Sequence, residues 1–196
     1  KIRIAFFSPL NPQHSGISDY SEDLLAHLRG YVNVDLFVDG IVPSNPDVAN
    51  NFRYYDYKEF EKMAAGYDAF LYHMGNNTLH EYIYKTLKRF PGITVLHDYN
   101  IHSFIRETTL TKGDPQAYIG EIEACYGPLG GFITEKIKKH DFDLNALRFS
   151  LNNEVFNSSR AVIVHSRWCR EQTAGDNVFV VPSGINIEPL TADEIR

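Results

Sequence analysis

Short apolar segments alternate with longer amphipathic ones along this chain, and that alternation restricts its fold more than any other feature. Ile2-Arg3-Ile4-Ala5-Phe6-Phe7, Asp68-Ala69-Phe70-Leu71-Tyr72-His73, Ile93-Thr94-Val95-Leu96, Ala161-Val162-Ile163-Val164 and Val178-Phe179-Val180-Val181 read as strands, as do residues 32–38. Phe52-Arg53-Tyr54-Tyr55 reads as a short third strand in chain order. Helical patterns fall between them. One follows a polar loop over residues 11–18 and carries Ile17, Tyr20, Leu24 and Leu28 on one face. Another carries Leu79, Tyr82, Ile83, Leu87 and Phe90, stopped by Pro91-Gly92. Residues 102–156 are mostly helical, with breaks at Gly113-Asp114-Pro115, Gly127-Pro128 and Asp141-Phe142-Asp143, and a last helix starts near Arg167. Strands that alternate with helices need right-handed crossovers, so the expectation is an α/β fold, a Rossmann-like doubly wound parallel sheet.

Composition narrows the partners. At 196 residues with a formal net charge of −6, the chain suits one sizeable domain, and its Lys and Arg are scattered. Nucleic acid is therefore not an expected partner, because phosphate binding needs clustered basic side chains. The densest basic run, Lys136-Ile137-Lys138-Lys139-His140, reads as a solvated helix end. No apolar run reaches the ~20 residues of a membrane-spanning helix. The two cysteines, Cys125 and Cys169, fall in helical patterns and make no disulfide framework, which suits a reducing cytoplasm. Hydrophobic periodicity stops after Pro182, and Thr191 opens a fresh helix start with Glu194 in capping-box spacing. Residues 1–184 are accordingly expected to form one domain, and residues 185–196 a linker and the start of another, so that the sequence reads as cut short.

In an open parallel sheet ligands gather at the carboxyl ends of the strands, and here those ends are polar. They carry Asn11, Gln13, His14, Ser15 and Gly16; His73, Gly75, Asn76 and Asn77; His97, Asp98, Tyr99, Asn100 and His102; and His165, Ser166 and Arg167. Gly16 just before a helix has two readings. It serves the turn with Ser18 as cap, or it lets backbone amides approach an anion such as a diphosphate. Neither G-x-G-x-x-G nor G-x-x-x-x-G-K-[ST] occurs, which removes the main warrant for dinucleotide dehydrogenases and P-loop enzymes. His97 with Asp98 is the leading catalytic pair: an imidazole at a strand end can bond a sugar hydroxyl, and a neighbouring carboxylate can tune it. A core histidine bonded to a carbonyl is the competing reading. His97, Asp98 and His102 match neither the H-E-x-x-H nor the zinc-finger spacing, so no metal site is expected.

Several of these segments resemble a known family. Pro9-Leu10-Asn11-Pro12-Gln13-His14-Ser15-Gly16-Ile17-Ser18-Asp19-Tyr20-Ser21 resembles the first-loop motif of family 4 (group 1) glycosyltransferases, retaining enzymes of GT-B architecture. Tyr72-His73-Met74-Gly75-Asn76 is similar to their second cleft segment, and Val95-Leu96-His97-Asp98-Tyr99 to the strand with their active-site histidine. Val164-His165-Ser166 and Val181-Pro182-Ser183-Gly184-Ile185 resemble the strands before their interdomain linker. Ser183 departs from the His or Asn usual there. The family's paired-glutamate donor motif does not occur in this sequence.

The resemblance implies the N-terminal, acceptor-side half of a GT-B glycosyltransferase, inactive without its donor domain. That enzyme would move a sugar from a nucleotide sugar to a carbohydrate or glycolipid acceptor with retention of configuration, needing no cofactor or metal. Ser15, Gly16 and Ile17 would approach the donor diphosphate, and His97 and Asp98 would form the catalytic centre. His14, Asp19, Gly75, Asn76, Tyr99, His102, His165 and Ser166 would line the acceptor cleft. The missing C-terminal domain is then a required partner, and a cytoplasmic site is compatible with peripheral contact at the inner face of the membrane. Two other readings share the fold: a binding domain without catalysis, and a GT-B sugar-nucleotide epimerase.

Overall fold

The apolar segments pair side by side in parallel: β1 (Arg3–Phe7), β2 (Asn33–Val38), β3 (Arg53–Asp56), β4 (Ala69–Met74), β5 (Ile93–Leu96), β6 (Ala161–Val164) and β7 (Val178–Val180). A computed structural model describes residues 1–139 and 148–184, and among these residues the strands form one sheet in the order β3-β2-β1-β4-β5-β6-β7. The chain is therefore α/β and doubly wound, in the Rossmann-like manner its sequence pattern requires. The order runs outward from β1 to β3, then returns past β1 to β4. That reversal creates a switch point between β1 and β4, where the loops leaving the two strands diverge.

Helix α1 (Gly16–Leu28) follows β1, and α2 (Pro46–Asn51) follows β2. Leu25 packs fully buried with Phe6, Val34 and Leu36 on one face of the sheet, and Leu24 and Leu28 lie against the same cluster. The opposite face carries Phe7, Phe37, Tyr72, Met74, Leu96, Val162 and Val164. It is covered by α3 (Phe60–Met63), α4 (Glu81–Arg89), α5 (His102–Thr108), α6 (Pro115–Tyr126) and α8 (Asn153–Ser158), through Phe60, Ile83, Leu87, Phe104, Ile105, Ile122 and Val155. Helix α7 (Gly130–Lys139) packs on α6, and α9 (Arg167–Glu171) joins β6 to β7. Each such side chain, fully buried, contributes roughly 1.5–3 kcal/mol. No helix among the described residues is long and apolar enough to cross a membrane.

Three details differ from the sequence pattern. Helix α1 begins at Gly16, because Ser15 caps it: the Ser18 N–H donates to Ser15 Oγ at 3.1 Å. Ser18, expected as the cap, instead bonds the Gln13 carbonyl at 2.6 Å through its hydroxyl. Helices α2 and α3 had no periodic signal, since elements of 6 and 4 residues are too short to show an apolar stripe. The expected break at Asp141-Phe142-Asp143, and the expected linker at 185–196, lie outside the described residues.

One buried acid ties the sheet together. Asp35 on β2 is 3% exposed and accepts from Tyr67 Oη at 2.9 Å, Arg3 Nη2 at 2.9 Å and Arg53 Nε at 2.9 Å. The two arginines are substantially solvent-exposed, so their pairing with Asp35 is largely screened. The buried Tyr67 hydroxyl has no such alternative, and burial followed by the Asp35 bond raises its pKa. Asp35→Ala should lower unfolding free energy by about 1–3 kcal/mol through that stranded hydroxyl. Urea denaturation reads this directly, and an unchanged midpoint would contradict the assignment.

Candidate functional site

Three loops meet at the carboxyl edge beside the switch point. The loop after β1 ends in Ser15 and leads into Gly16 and Ile17 at the first turn of α1; the loop after β4 carries Gly75 and Asn76; the loop after β5 carries His97 and Asp98. The Asn76 N–H donates to Asp98 Oδ2 at 2.8 Å, joining the second loop to the third. Gly75 is enclosed by all three. A Cβ there would collide with Ile17 Cδ1 and come within 3.0 Å of His80 Cε1 and 3.1 Å of Asp98 Oδ2. Gly75 is thus required by packing. Gly16 is different: a Cβ there meets nothing within 4 Å. Its backbone is exposed at the first turn of α1, and among the described residues neither the Gly16 nor the Ile17 N–H has an acceptor. Free amides at a helix N-terminus favour an anion.

Behind these loops lies a row of imidazoles. His73 Nδ1 is 2.9 Å from His97 Nε2, and His97 Nδ1 is 3.3 Å from His165 Nε2. His165 Nδ1 donates to the Val181 carbonyl at 2.9 Å. The Tyr20 ring of α1 lies edge-on over His97 with centroids 4.9 Å apart, and over His165 at 5.5 Å. Phe6 lies against His73 at 4.7 Å. Burial is the main cause of low basicity here. It drives His73 well below the usual imidazole value, reinforced by His97 and His80, and it takes His97 down to about 3, reinforced by His165 and His80. His80, buried under Gly75, falls to about 4, held up somewhat by its Asn77 bond and by Asp98. All three are neutral at physiological pH. His97 can donate or accept a hydrogen bond but carries no proton for general-acid catalysis near neutrality.

Not every residue singled out from the sequence joins the group. Asp98 does not touch His97. Its carboxylate binds the Asn76 amide, and its charge acts on His80 instead, so tuning of His97 by Asp98 is corrected. His102 does not line the cleft: it is fully buried, with Nδ1 against the Phe149 carbonyl at 2.8 Å and Nε2 against Tyr118 Oη at 2.7 Å. It is a core histidine that anchors α5. Asn76 Oδ1 accepts the Phe104 N–H at 2.9 Å and so serves the first turn of that helix. Tyr99 points toward α9, donating to the Gln172 carbonyl at 3.1 Å and meeting Trp168 edge-on. Ser166 caps α9 through the Cys169 N–H at 3.2 Å. Asp19 accepts from Asn11 Nδ2 at 3.0 Å, and His14 is exposed on the loop before α1.

Sequence reasoning missed three contributors. Tyr20 stands in an apolar stripe and in the first-loop segment, and neither pattern shows that its ring covers the imidazole row. His80 had no motif around it. Glu22, 8% exposed, accepts the Asn11 N–H at 2.8 Å and Asn45 Nδ2 at 2.7 Å, bracing the loop that carries Gly16. A cleft of about 300 Å³ opens beside Tyr20, between Asp23, Leu24 and His27 of α1 and Val181, Pro182 and Gly184. A larger cavity of about 590 Å³ runs along α8, past Tyr126, Asn153 and Asn177. Its lining contains no histidine and no charged residue, whereas the imidazoles gather at the carboxyl edge of the sheet. No group of three His, Cys, Asp or Glu among the described residues is arranged to hold a metal ion.

Fold and side-chain geometry together define a doubly wound α/β protein with a polar, histidine-lined edge beside its switch point. Comparison with family models, with characterised proteins and with solved structures gave no match.

Two measurements test this geometry. His97 and His80 are neutral when folded but take up protons from about pH 6.5 downward when unfolded, so folding stability is complete above that pH and falls as pH drops toward 4. The melting temperature should stay level from pH 8 to 7 and decline below 6.5, before carboxylates titrate; a level profile down to pH 5 would contradict the burial. Separately, Gly75→Ala should lower stability by about 1–3 kcal/mol through overpacking, while Gly16→Ala should not lower it. Equal effects in chemical denaturation would remove the distinction between the two glycines.

Proposed function

We propose that this chain is the acceptor-side domain of a retaining GT-B glycosyltransferase similar to family 4, acting with a second, donor-binding domain. The observation that carries the reading is convergence. Residues 15–17, Gly75 with Asn76, and His97 belong to three separate segments that resemble that family, and they meet at one edge of the switch point. Such an edge is where doubly wound sheets hold ligands.

In this reading the free Gly16 and Ile17 amides approach the diphosphate of a nucleotide sugar, where negative charge grows as the glycosidic bond breaks. The absence of any packing requirement at Gly16 supports that role, since space in front of the backbone is what a close ligand needs. His97, neutral, bonds an oxygen of the transferred sugar, and the acceptor is a carbohydrate or glycolipid bound on the same edge. The amides supply only part of the countercharge; the rest comes from the second domain. The protein works in the cytoplasm, in peripheral contact with the membrane if its acceptor is a lipid.

A second reading, a binding domain of the same fold without catalysis, is favoured by one observation: both His97 ring nitrogens are already engaged by other histidines. Turnover of nucleotide sugars by the full-length protein separates the two. His97→Ala should lower kcat by roughly 10²–10³, the effect of losing one transition-state hydrogen bond, with a smaller change in acceptor KM. Near-normal turnover of His97→Ala at matched melting temperature would leave His97 a structural histidine and the catalytic reading wrong.

A further inference from the structure

The imidazole row has one fixed end. The Val181 carbonyl can only accept, so the proton of His165 sits on Nδ1, 2.9 Å away. A neutral imidazole carries one N–H, which leaves His165 Nε2 as an acceptor. His97 Nδ1, facing it at 3.3 Å, is then the donor, and His97 Nε2 is bare. His73 Nδ1 lies 2.9 Å from that bare nitrogen and donates to it. One tautomer therefore follows from the next along the row, and the last nitrogen, His73 Nε2, is buried with no partner of its own. Protonating His97 or His165 would set two N–H groups against each other, and protonating His73 would bury a charge at a nitrogen with no partner, so the row holds only while all three rings are neutral.

We infer that His165 and His73 are positioning residues that hold His97 as its Nδ1–H tautomer, with the Val181 carbonyl as the anchor. The two bonds of His97 are unequal. The one to His73 is short and lies against the buried ring of that residue; the one to His165 is long, and His165 is half-exposed beside the cleft under Tyr20. A ligand oxygen arriving at the edge displaces His165 rather than His73. What His97 presents to the ligand is its Nδ1–H, as a neutral hydrogen-bond donor. The anchor lies in the segment that leaves the last strand. Movement of that segment would release His165 and with it the choice of tautomer at His97.

This inference rests on the proposed function only for what the donated proton does, and its test begins without any substrate. Nitrogen-15 spectra of the chain with labelled histidine should show His97 Nδ1 protonated and Nε2 bare at about pH 8 to 9, well above the ordinary imidazole range. His165→Gln, whose amide oxygen can replace the acceptor and whose amide nitrogen can reach Val181, should keep that signature. His165→Phe preserves a ring against Tyr20 but offers no acceptor, and it should give His97 a mixture of tautomers. A proton on Nε2 in the unsubstituted chain, or an unchanged signature in His165→Phe, would overturn the inference. The activity arm then uses the full-length protein. Turnover of a nucleotide sugar should fall about ten-fold further in His165→Phe than in His165→Gln, the scale of one hydrogen bond. The expected spectra with no nucleotide-sugar turnover by the unsubstituted full-length protein would leave the tautomer standing and overturn the proposed function, whereas equal turnover in both variants would remove the His97 proton from that function.

Discussion

The parallel register of β4, β5 and β6 is the constraint on which the carboxyl edge depends. His73 pairs with Val95 and Val95 with Ile163, so the three occupy one row and one face. Two residues further on, His97 and His165 return to that same face, just past the ends of their strands. A slip of one residue in either pairing would send an imidazole to the opposite face, among Met74, Leu96 and Val164. The register is secured by the apolar residues on that opposite face, which are fully or almost fully buried. Hydrophobic burial deep in the sheet thus sets hydrogen-bond geometry at its edge.

The row sits at a boundary between buried and open surface. Tyr20 and Phe6 cover it from one side, while Phe179 and Val181, further along the sheet, remain about half exposed. Desolvation keeps His73 and His97 neutral, and neutrality lets those two bond each other. Asp98, which lies next to His97 in sequence, acts elsewhere because successive residues leaving a strand point to opposite sides. The edge therefore works through neutral donors and backbone amides. Such groups suit hydroxyl-rich and anionic ligands, because they bond oxygen without a buried charge of their own.

Much of this was legible in the sequence. Strands rich in Val, Ile and Phe, separated by amphipathic stretches, predicted the sheet, and the polar strand ends predicted where Gly75, Asn76, His97 and Asp98 gather. Helices α2 and α3 were not legible, because elements of 6 and 4 residues are too short to show an apolar stripe. His102 resembles His97 and His165 in lying just beyond a strand end. It is separated from them by tertiary contacts, the Phe149 carbonyl and the Tyr118 hydroxyl, that no local pattern shows. His80 and Glu22 escaped notice for the converse reason: each gains its role only when distant loops pack around it. The imidazole row needed strand register, which alternation of apolar residues implies only once the strand order is known.

Backbone amides at Gly16, a packing glycine at Gly75 and a neutral donor at His97 form one ligand edge in this account. Chemical-shift mapping of this chain, isotope-labelled within the full-length protein and titrated with a nucleoside diphosphate sugar, tests that claim most directly. The account predicts shifts that saturate together at Gly16, Ile17, Gly75, Asn76 and His97, with Tyr126 and Asn153 in the larger cavity unmoved. Shifts confined to that cavity, or none at millimolar ligand, would contradict it.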